Sequence, residues 1–256
     1  MTTISSHGDM SGRAVLVTGS SGSIGRAVVS RLVHCAATVV AVDRSRPSTP
    51  HDPAPAATAL VDLTDDDATC RALTDVVLDG QLHHVIAVAG GGDLEELTAT
   101  DVAQESLAAF DRVVRNNLHV AFVTLRHALP MLRRTTGDRS VTLVGSINAY
   151  GGYGAPGYSA AKAGLVGLAH ALAPALGTDG IRINCLTLGT VDTDNLRRLS
   201  SARGRTFDPE HIAGTTALRR VLTPDDVARA AVALAIDLVG MTGTNVVLDN
   251  GQLRMR

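Results

Sequence analysis

Along this chain, short apolar runs alternate with longer segments in which apolar residues recur every three or four positions. The runs at 14–18, 38–42, 59–61, 85–89, 141–144, 181–186 and 245–248 are mostly β-branched and predict seven strands. They are continuous rather than alternating, so both faces of the sheet should be covered by helices. Helical periodicity is found over 24–35, 65–77, 106–134, 158–176 and 224–236. The last of these opens on Thr223-Pro224-Asp225-Asp226, where threonine can cap, proline fits the first turn and the acids suit the positive helix end. Strand and helix in repeated alternation predict an α/β fold with a parallel sheet.

Composition narrows the picture. The chain has 256 residues, 45% of them hydrophobic, and a formal net charge of −2. That length suits one large domain over residues 1–256, since single α/β domains run to about 250 residues, and there is no internal repeat. Near-neutral charge removes the electrostatic reason to expect nucleic acid or an anionic membrane as partner. Cys35, Cys70 and Cys185 are widely spaced and odd in number, and no Cys/His cluster has metal-ligand spacing, so a reduced, metal-free protein is expected. The polar N-terminus, read as a flexible segment over 1–12, has no apolar leader core, and no uninterrupted apolar run suggests a membrane span. The expected location is therefore cytoplasmic. Residues 47–57 form a proline-rich loop, and 190–214 is long and poor in apolar residues, as a substrate lid would be.

The first strand runs into Thr18-Gly19-Ser20-Ser21-Gly22-Ser23-Ile24-Gly25 and then a helix. A small-residue turn at a helix N-terminus presents unpaired N–H groups and the positive dipole end to a pyrophosphate. Gly19, Ser21, Gly22, Ser23, Ile24 and Gly25 are thus candidate cofactor contacts. Asp43 closes the second strand at the spacing of a ribose-binding acid, although aspartate at a strand end also serves as a turn residue. Asp62, after the third strand, reads equally as an adenine contact or a helix cap.

Lys162 is the chain's only lysine and follows Tyr158 by four residues, which places both side chains on one helix face. A phenol is a poor base at neutral pH, and a nearby ammonium favours the phenolate, so the pair can exchange a proton with an alcohol while hydride moves. The alternative is a surface lysine beside a half-buried tyrosine. Ser146 follows the fifth strand, where its hydroxyl reads equally as a turn group or a donor to a substrate carbonyl. Asn117 lies in an apolar helical stretch, either bonding locally at a kink or joining a polar relay.

Thr18 to Gly25, Asp62-Leu63, Ala89-Gly90, Asn117, Ser146, Tyr158-Ser159-Ala160-Ala161-Lys162 and Gly189 to Thr193 occur in the order and spacing of the short-chain dehydrogenase/reductase family, and the chain resembles that family from Arg13 to Gly251. The resemblance implies a doubly wound, Rossmann-type sheet of seven parallel strands and often a homotetramer. By position, Ser146 would polarise a carbonyl, Tyr158 would be the acid/base, and Lys162 would tune it and bind ribose. Asn117, rather than the adjacent Asn116, would hold a relay water. Leu63, Ala89, Gly90 and Gly189 would line the cofactor, with Val191 and Thr193 at the carboxamide of the nicotinamide. Four departures stand out: Ser23 in place of the middle glycine, Ala87-Val88-Ala89-Gly90 in place of Asn-Asn-Ala-Gly, Leu188 in place of proline, and a loop from Ser146 to Tyr158 one residue shorter than is commonest.

The resulting expectation is an NAD-dependent oxidoreductase acting on a secondary alcohol/ketone pair, with NADP less favoured because Asp43 would repel a 2′-phosphate while Arg44 would soften that choice. The rivals are an NADPH-dependent ketoreductase acting on carrier-bound or polyketide substrates, a nucleotide-binding regulatory protein without turnover, and a methyltransferase on a similar sheet. Gly151, Gly152 and Gly154 around Tyr153 suggest a substrate wall, on which Tyr150 or Tyr153 would stack on a ring. Arg197, Arg198, Arg203 and Arg205 are candidate contacts for an acidic substrate group or plain surface charge.

Overall fold

The computed structural model describes residues 9–98, 103, 106–150 and 155–255. Its strands are β1 (Ala14–Thr18), β2 (Thr38–Asp43), β3 (Ala57–Leu60), β4 (His84–Ala87), β5 (Arg139–Ser146), β6 (Ile181–Leu188) and β7 (Asn245–Leu248). All pairings are parallel, in the order β3-β2-β1-β4-β5-β6-β7. All seven expected strands form. Strands β5 and β6 are longer than the sequence reading because they pair from Arg139↔Ile181 through to Ser146↔Leu188. Leu188 also pairs with Leu248. A proline there would lack the N–H that a ladder position uses, so this departure lets the strand run one residue further.

Alternate residues of a strand point to opposite faces, and here both faces are apolar. Val15, Val17, Val39 and Ala41 enter a core with Val28 and Leu32 of α1 (Ser23–His34) and Val227 and Ala231 of a C-terminal helix at Pro224–Ile236. Leu16, Val40 and Val42 enter the other core, with Leu73 of α2 (Asp66–Val76), Leu125 and Leu132 of a helix at Val120–Arg134, and Leu165 and Leu176 of a helix at Pro156–Thr178. At roughly 1.5–3 kcal/mol for each fully buried Val or Leu side chain, these two layers dominate the stability of the sheet. Because the chain leaves β1 toward β3 and returns to the other side of β1 at β4, loops diverge above β1 and β4. That switch point is the natural crevice of such a sheet.

Several elements were not foreseen. A short α3 (Leu94–Thr98) follows β4, and the segment expected as one helix over 106–134 is α4 (Leu107–Val114), a π turn (Arg115–His119) and α5 (Val120–Arg134). The long α6 (Pro156–Thr178) begins two residues before Tyr158. The segment 190–214 contains α7 (Asp194–Ala202) and α8 (Pro209–Gly214) in place of a plain loop. The final α9 (Pro224–Ile236) carries a capping box of Thr223 and Asp226, with Pro224 in the first turn. Of the N-terminal segment expected to be flexible, residues 1–8 lie outside the described residues, whereas Met10 is buried and its N–H donates to the carbonyl of Cys35.

By length and composition α6 is apolar enough to cross a membrane. Its inner side packs on β5 and β6, and it holds the buried Lys162. Its outer side, with Gly164, Gly167, Leu168 and Ala171, forms with Leu118 and Phe122 an open apolar groove of about 500 Å³.

Candidate active site

At the cofactor end, Gly19 has φ +67°, and a Cβ there would meet the Ala89 backbone at 2.7 Å, so only glycine lets the first turn pass beneath the loop after β4. Helix α1 starts at Ser23 with no side-chain cap and no acid in its first turn, which leaves its positive end to an anion. The Ser20 hydroxyl is buried without a hydrogen-bond partner. These features fit a dinucleotide pyrophosphate at Gly19 to Gly25. Asp43 lies beside the turn, its carboxylate accepting from the N–H of Ser21 at 2.9 Å and of Ser45 at 3.1 Å. The turn-residue reading of Asp43 is met by these bonds, and they set the carboxylate beside the Gly19–Gly25 turn.

Asp62 accepts from the N–H of Thr64 at 2.9 Å, while the α2 cap is Asp65, whose side chain accepts from the Ala68 N–H. The cap alternative for Asp62 therefore falls. The Thr64 N–H, with Arg44 and Arg115 nearby, holds the Asp62 carboxyl below its usual range. Leu63 is buried and Arg44 is exposed. Where the family carries an Asn-Asn pair, Thr18 braces the strands instead: its carbonyl accepts from Val88 N–H and its hydroxyl from Ala89 N–H, both at 3.3 Å.

The candidate catalytic residues converge at the carboxyl ends of β4 and β5. Ser146 ends β5, its hydroxyl donating to Asn148 Oδ1 at 3.1 Å and bonding to the phenol of Tyr158. Lys162 is 4% exposed, its Nζ donating to the Val144 carbonyl at 3.0 Å and lying 5.5 Å from the centre of the Tyr158 ring. Lys162 is therefore no surface lysine. Burial lowers its ammonium to about 8. The expectation that Lys162 lowers the phenol is not met in this arrangement: burial first, and the Glu96 carboxylate besides, push Tyr158 above the usual phenol value, against the Ser146 hydrogen bond.

Asn117 sits in the π turn, an insertion frequent at functional sites. Its Nδ2 donates to the carbonyls of Gly91 and Val113, both at 2.9 Å, and its Oδ1 accepts from Gly91 N–H at 2.9 Å. A Cβ on Gly90, whose φ is +147°, would strike Asn117 Oδ1 at 2.5 Å and reach Lys162 Nζ at 3.3 Å. Asn117 thus makes the local helix bond and also fixes the loop over Lys162. Asn116 is only half-buried, and no role in the site falls to it.

Helix α7 lies against the Gly91–Gly92 loop, with Asn195 and Leu199 standing nearest to that loop. The Thr193 side chain caps it, accepting from Leu196 N–H, and Val191 bridges to Leu222. Gly189 closes on Asp249, and Gln252 holds both the N–H and the hydroxyl of Thr190. Ser23 ties the cofactor turn to this helix: its hydroxyl donates to Asp194 Oδ2 at 3.0 Å and accepts from Asp194 N–H at 3.1 Å. Of the arginines, Arg197 pairs with Asp192 and covers Phe207, Arg198 donates to Asn195, and Arg203 and Arg205 are exposed. Tyr150 is exposed, its phenol accepting from Asn245, while Gly151, Gly152, Tyr153 and Gly154 lie outside the described residues. Glu96, Asn148, Asp194 and Gln252 were not foreseen, because none stands in a local pattern that carries chemistry.

Comparison with known proteins agrees with this fold. A family model described as enoyl-(acyl carrier protein) reductase matches residues 19–252. An uncharacterized oxidoreductase of Schizosaccharomyces pombe is 33% identical, covering 94% of this chain and 91% of that protein. A 3-oxoacyl-[acyl-carrier-protein] reductase of Aggregatibacter actinomycetemcomitans is 32% identical over 78% of this chain and 88% of its own length. The crystal structure of an oxidoreductase of the short-chain dehydrogenase/reductase family from Burkholderia thailandensis superposes with a TM-score of 0.80 at 30% identity, covering 94% and 93% of the two chains.

Proposed function

This chain belongs to the short-chain dehydrogenase/reductase family of oxidoreductases, and on that premise we propose that it interconverts a secondary alcohol and a ketone with NAD(H), Tyr158 moving the proton. The observation that carries the reading is the contact of Ser146 with Tyr158 beside a buried Lys162, at the carboxyl ends of β4 and β5. When bound, the nicotinamide supplies or accepts the hydride. The turn from Gly19 to Gly25 would hold the pyrophosphate, Asp43 the adenosine ribose, and Asp62 with Leu63 the adenine. Ala89, Gly90, Gly189, Val191 and Thr193 would line the remainder. Ser146 donates to the substrate oxygen, Tyr158 gives that oxygen a proton or takes one from it, and Lys162 supplies positive charge beneath the phenol. Asn117 fixes the Gly90–Gly91 loop against which the reacting groups are set.

The test is an assay of cofactor reduction and oxidation over a panel of alcohols and ketones with NAD and NADP. Tyr158→Phe keeps the ring packing but removes the proton, so turnover falls by about 10²–10⁴ while cofactor binding persists. Near-normal turnover in this variant rejects the assignment. The likeness to a 3-oxoacyl-[acyl-carrier-protein] reductase supports a second reading, a ketoreductase of carrier-bound substrates using NADPH, which the same panel distinguishes. The free cysteines support a cytoplasmic location. The apolar groove along α5 and α6 supports assembly with further copies of the same chain, as a tetramer in the family's common form.

A further inference from the structure

Two helices begin beside each other at the glycine turn. Ser23 is the first residue of α1 and Asp194 the first residue of α7, and the two are bonded twice. The Ser23 hydroxyl accepts from the Asp194 N–H at 3.1 Å and donates to Asp194 Oδ2 at 3.0 Å. Helix α7 itself delivers the acid to this place. Thr193 caps the helix, its hydroxyl accepting from the Leu196 N–H at 3.2 Å. Beyond the cap, Asn195 Nδ2 and Leu199 Cδ1 each stand 3.4 Å from where a Cβ on Gly91 or Gly92 would lie, so α7 is set against the loop after β4.

Helix N-termini carry unpaired N–H groups and partial positive charge, so two of them side by side favour an anion between them. The first turn of α1 has no acid of its own. The carboxylate bonded there is that of Asp194, from 171 positions away. Arg197, one turn further along α7, is engaged by Asp192 instead, through Nε at 2.7 Å and Nη2 at 2.6 Å. The two serines of the turn differ in what they have left to give. The Ser20 hydroxyl is buried and has no hydrogen-bond partner. A hydroxyl has one proton to donate, and that of Ser23 goes to Asp194, so it is closed to a phosphate oxygen. A phosphate approaching the start of α1 also meets a carboxylate of its own sign.

Resting on the reading of the Gly19–Gly25 turn as the pyrophosphate site, we propose that Asp194 sets the affinity for the dinucleotide: its carboxylate competes with the cofactor's phosphates for Ser23 and the positive end of α1. Binding then requires the Ser23 hydroxyl to turn from the carboxylate to a phosphate oxygen, which unties α7 from α1. The competition weakens the hold on the cofactor. Release of a spent cofactor is correspondingly easier, and product release is often the slow step of turnover.

Fluorescence titration with NADH tests this without turnover. Asp194→Asn keeps an acceptor for Ser23 and removes the charge, so NADH should bind about two- to fivefold more tightly at low ionic strength. The gain should shrink as salt is added. ADP-ribose, which has the pyrophosphate but no nicotinamide, should displace NADH with the same gain. Thermal unfolding without cofactor checks that the variant folds, and Asp194→Ala, expected to gain as well, takes its place if it does not. NADH binding that is unchanged or weaker in the folded variant overturns the proposal. A gain for NADH with none for ADP-ribose also overturns it, because the effect then lies at the nicotinamide end. If neither ligand binds the parent or the variant, the pyrophosphate reading itself falls and the proposal with it.

Discussion

At the scale of single residues, the site is governed by the cost of burying charge. Lys162 and the phenol of Tyr158 are both pushed toward their neutral forms by burial, with Cys185 acting against this at the ammonium, and at the phenol Ser146 acting against it and Glu96 with it. At the other end of the site, the Asp43 carboxylate receives the Ser21 and Ser45 N–H groups beside the Gly19–Gly25 turn, where the proposed nucleotide would lie. A carboxylate there accepts from free ribose hydroxyls and repels a 2′-phosphate. The expected outcome is a higher kcat/KM with NAD than with NADP. Asp43→Asn, which keeps acceptors for the turn, should narrow that ratio, and a preference for NADP in the parent would reject the role given to Asp43.

Among elements, the departures from the family pattern acquire structural reasons. Ser23 replaces a glycine, and its hydroxyl joins α1 to α7 through Asp194. Helix α7 also rests on the β4 loop: a Cβ on Gly92 would lie 3.4 Å from Leu199 Cδ1. Helix α7 is thus joined to α1 by a polar tie and lies against the β4 loop through Leu199. Ser23→Gly removes the polar tie alone, so the amides of α7 should exchange faster in hydrogen–deuterium exchange while α1 stays protected. Equal protection of α7 in parent and variant would show that the tie holds nothing.

For the whole molecule, stability should depend on pH through a polar pocket in the sheet. His84 is fully buried, its Nδ1 sharing a hydrogen bond with the Ser140 hydroxyl at 2.9 Å and its Nε2 without a hydrogen-bond partner. Burial drives its pKa down from 6.5 to about 3. The folded protein therefore refuses a proton that the unfolded chain accepts between those values. His84's contribution is complete above pH 6.5 and is lost as pH falls toward 3, at up to about 1.4 kcal/mol per pH unit. His51 and His83 shift in the same direction. Thermal unfolding of parent and His84→Asn from pH 7 to 4 isolates the buried residue: the variant starts less stable and loses less. Parallel curves would assign the acid sensitivity to the other two. The same scale includes assembly. Phe122→Glu places a charge in the groove between α5 and α6, so sedimentation should show a smaller particle than the parent's, and identical sedimentation would remove this face as the contact.

Much of this was legible in the order of the residues, because the signals are local. Continuous apolar runs, the 3.6-residue helical period and short cap and turn motifs are set by neighbours a few positions apart, and they located all seven strands, the capped start of α9 and the glycine turn. Tyr158 and Lys162 share a helix face through nothing more than a spacing of four. What the linear order did not reveal are contacts between distant segments. Glu96 meets Tyr158 across 62 positions, Ser23 meets Asp194 across 171, and Gln252 holds Thr190 from the far end of the chain. Nor did helical period alone distinguish the π turn at Asn117 from a straight helix, since its reason is the Gly91 backbone on another element. The sequence by itself determined the fold, the glycine turn and the pairing of Tyr158 with Lys162 on one helix face, because each rests on periodicity and short spacing. Only the tertiary structure decided which groups surround Tyr158 and what ties α7 to α1, because those depend on how the packed layers bring remote side chains within hydrogen-bond reach.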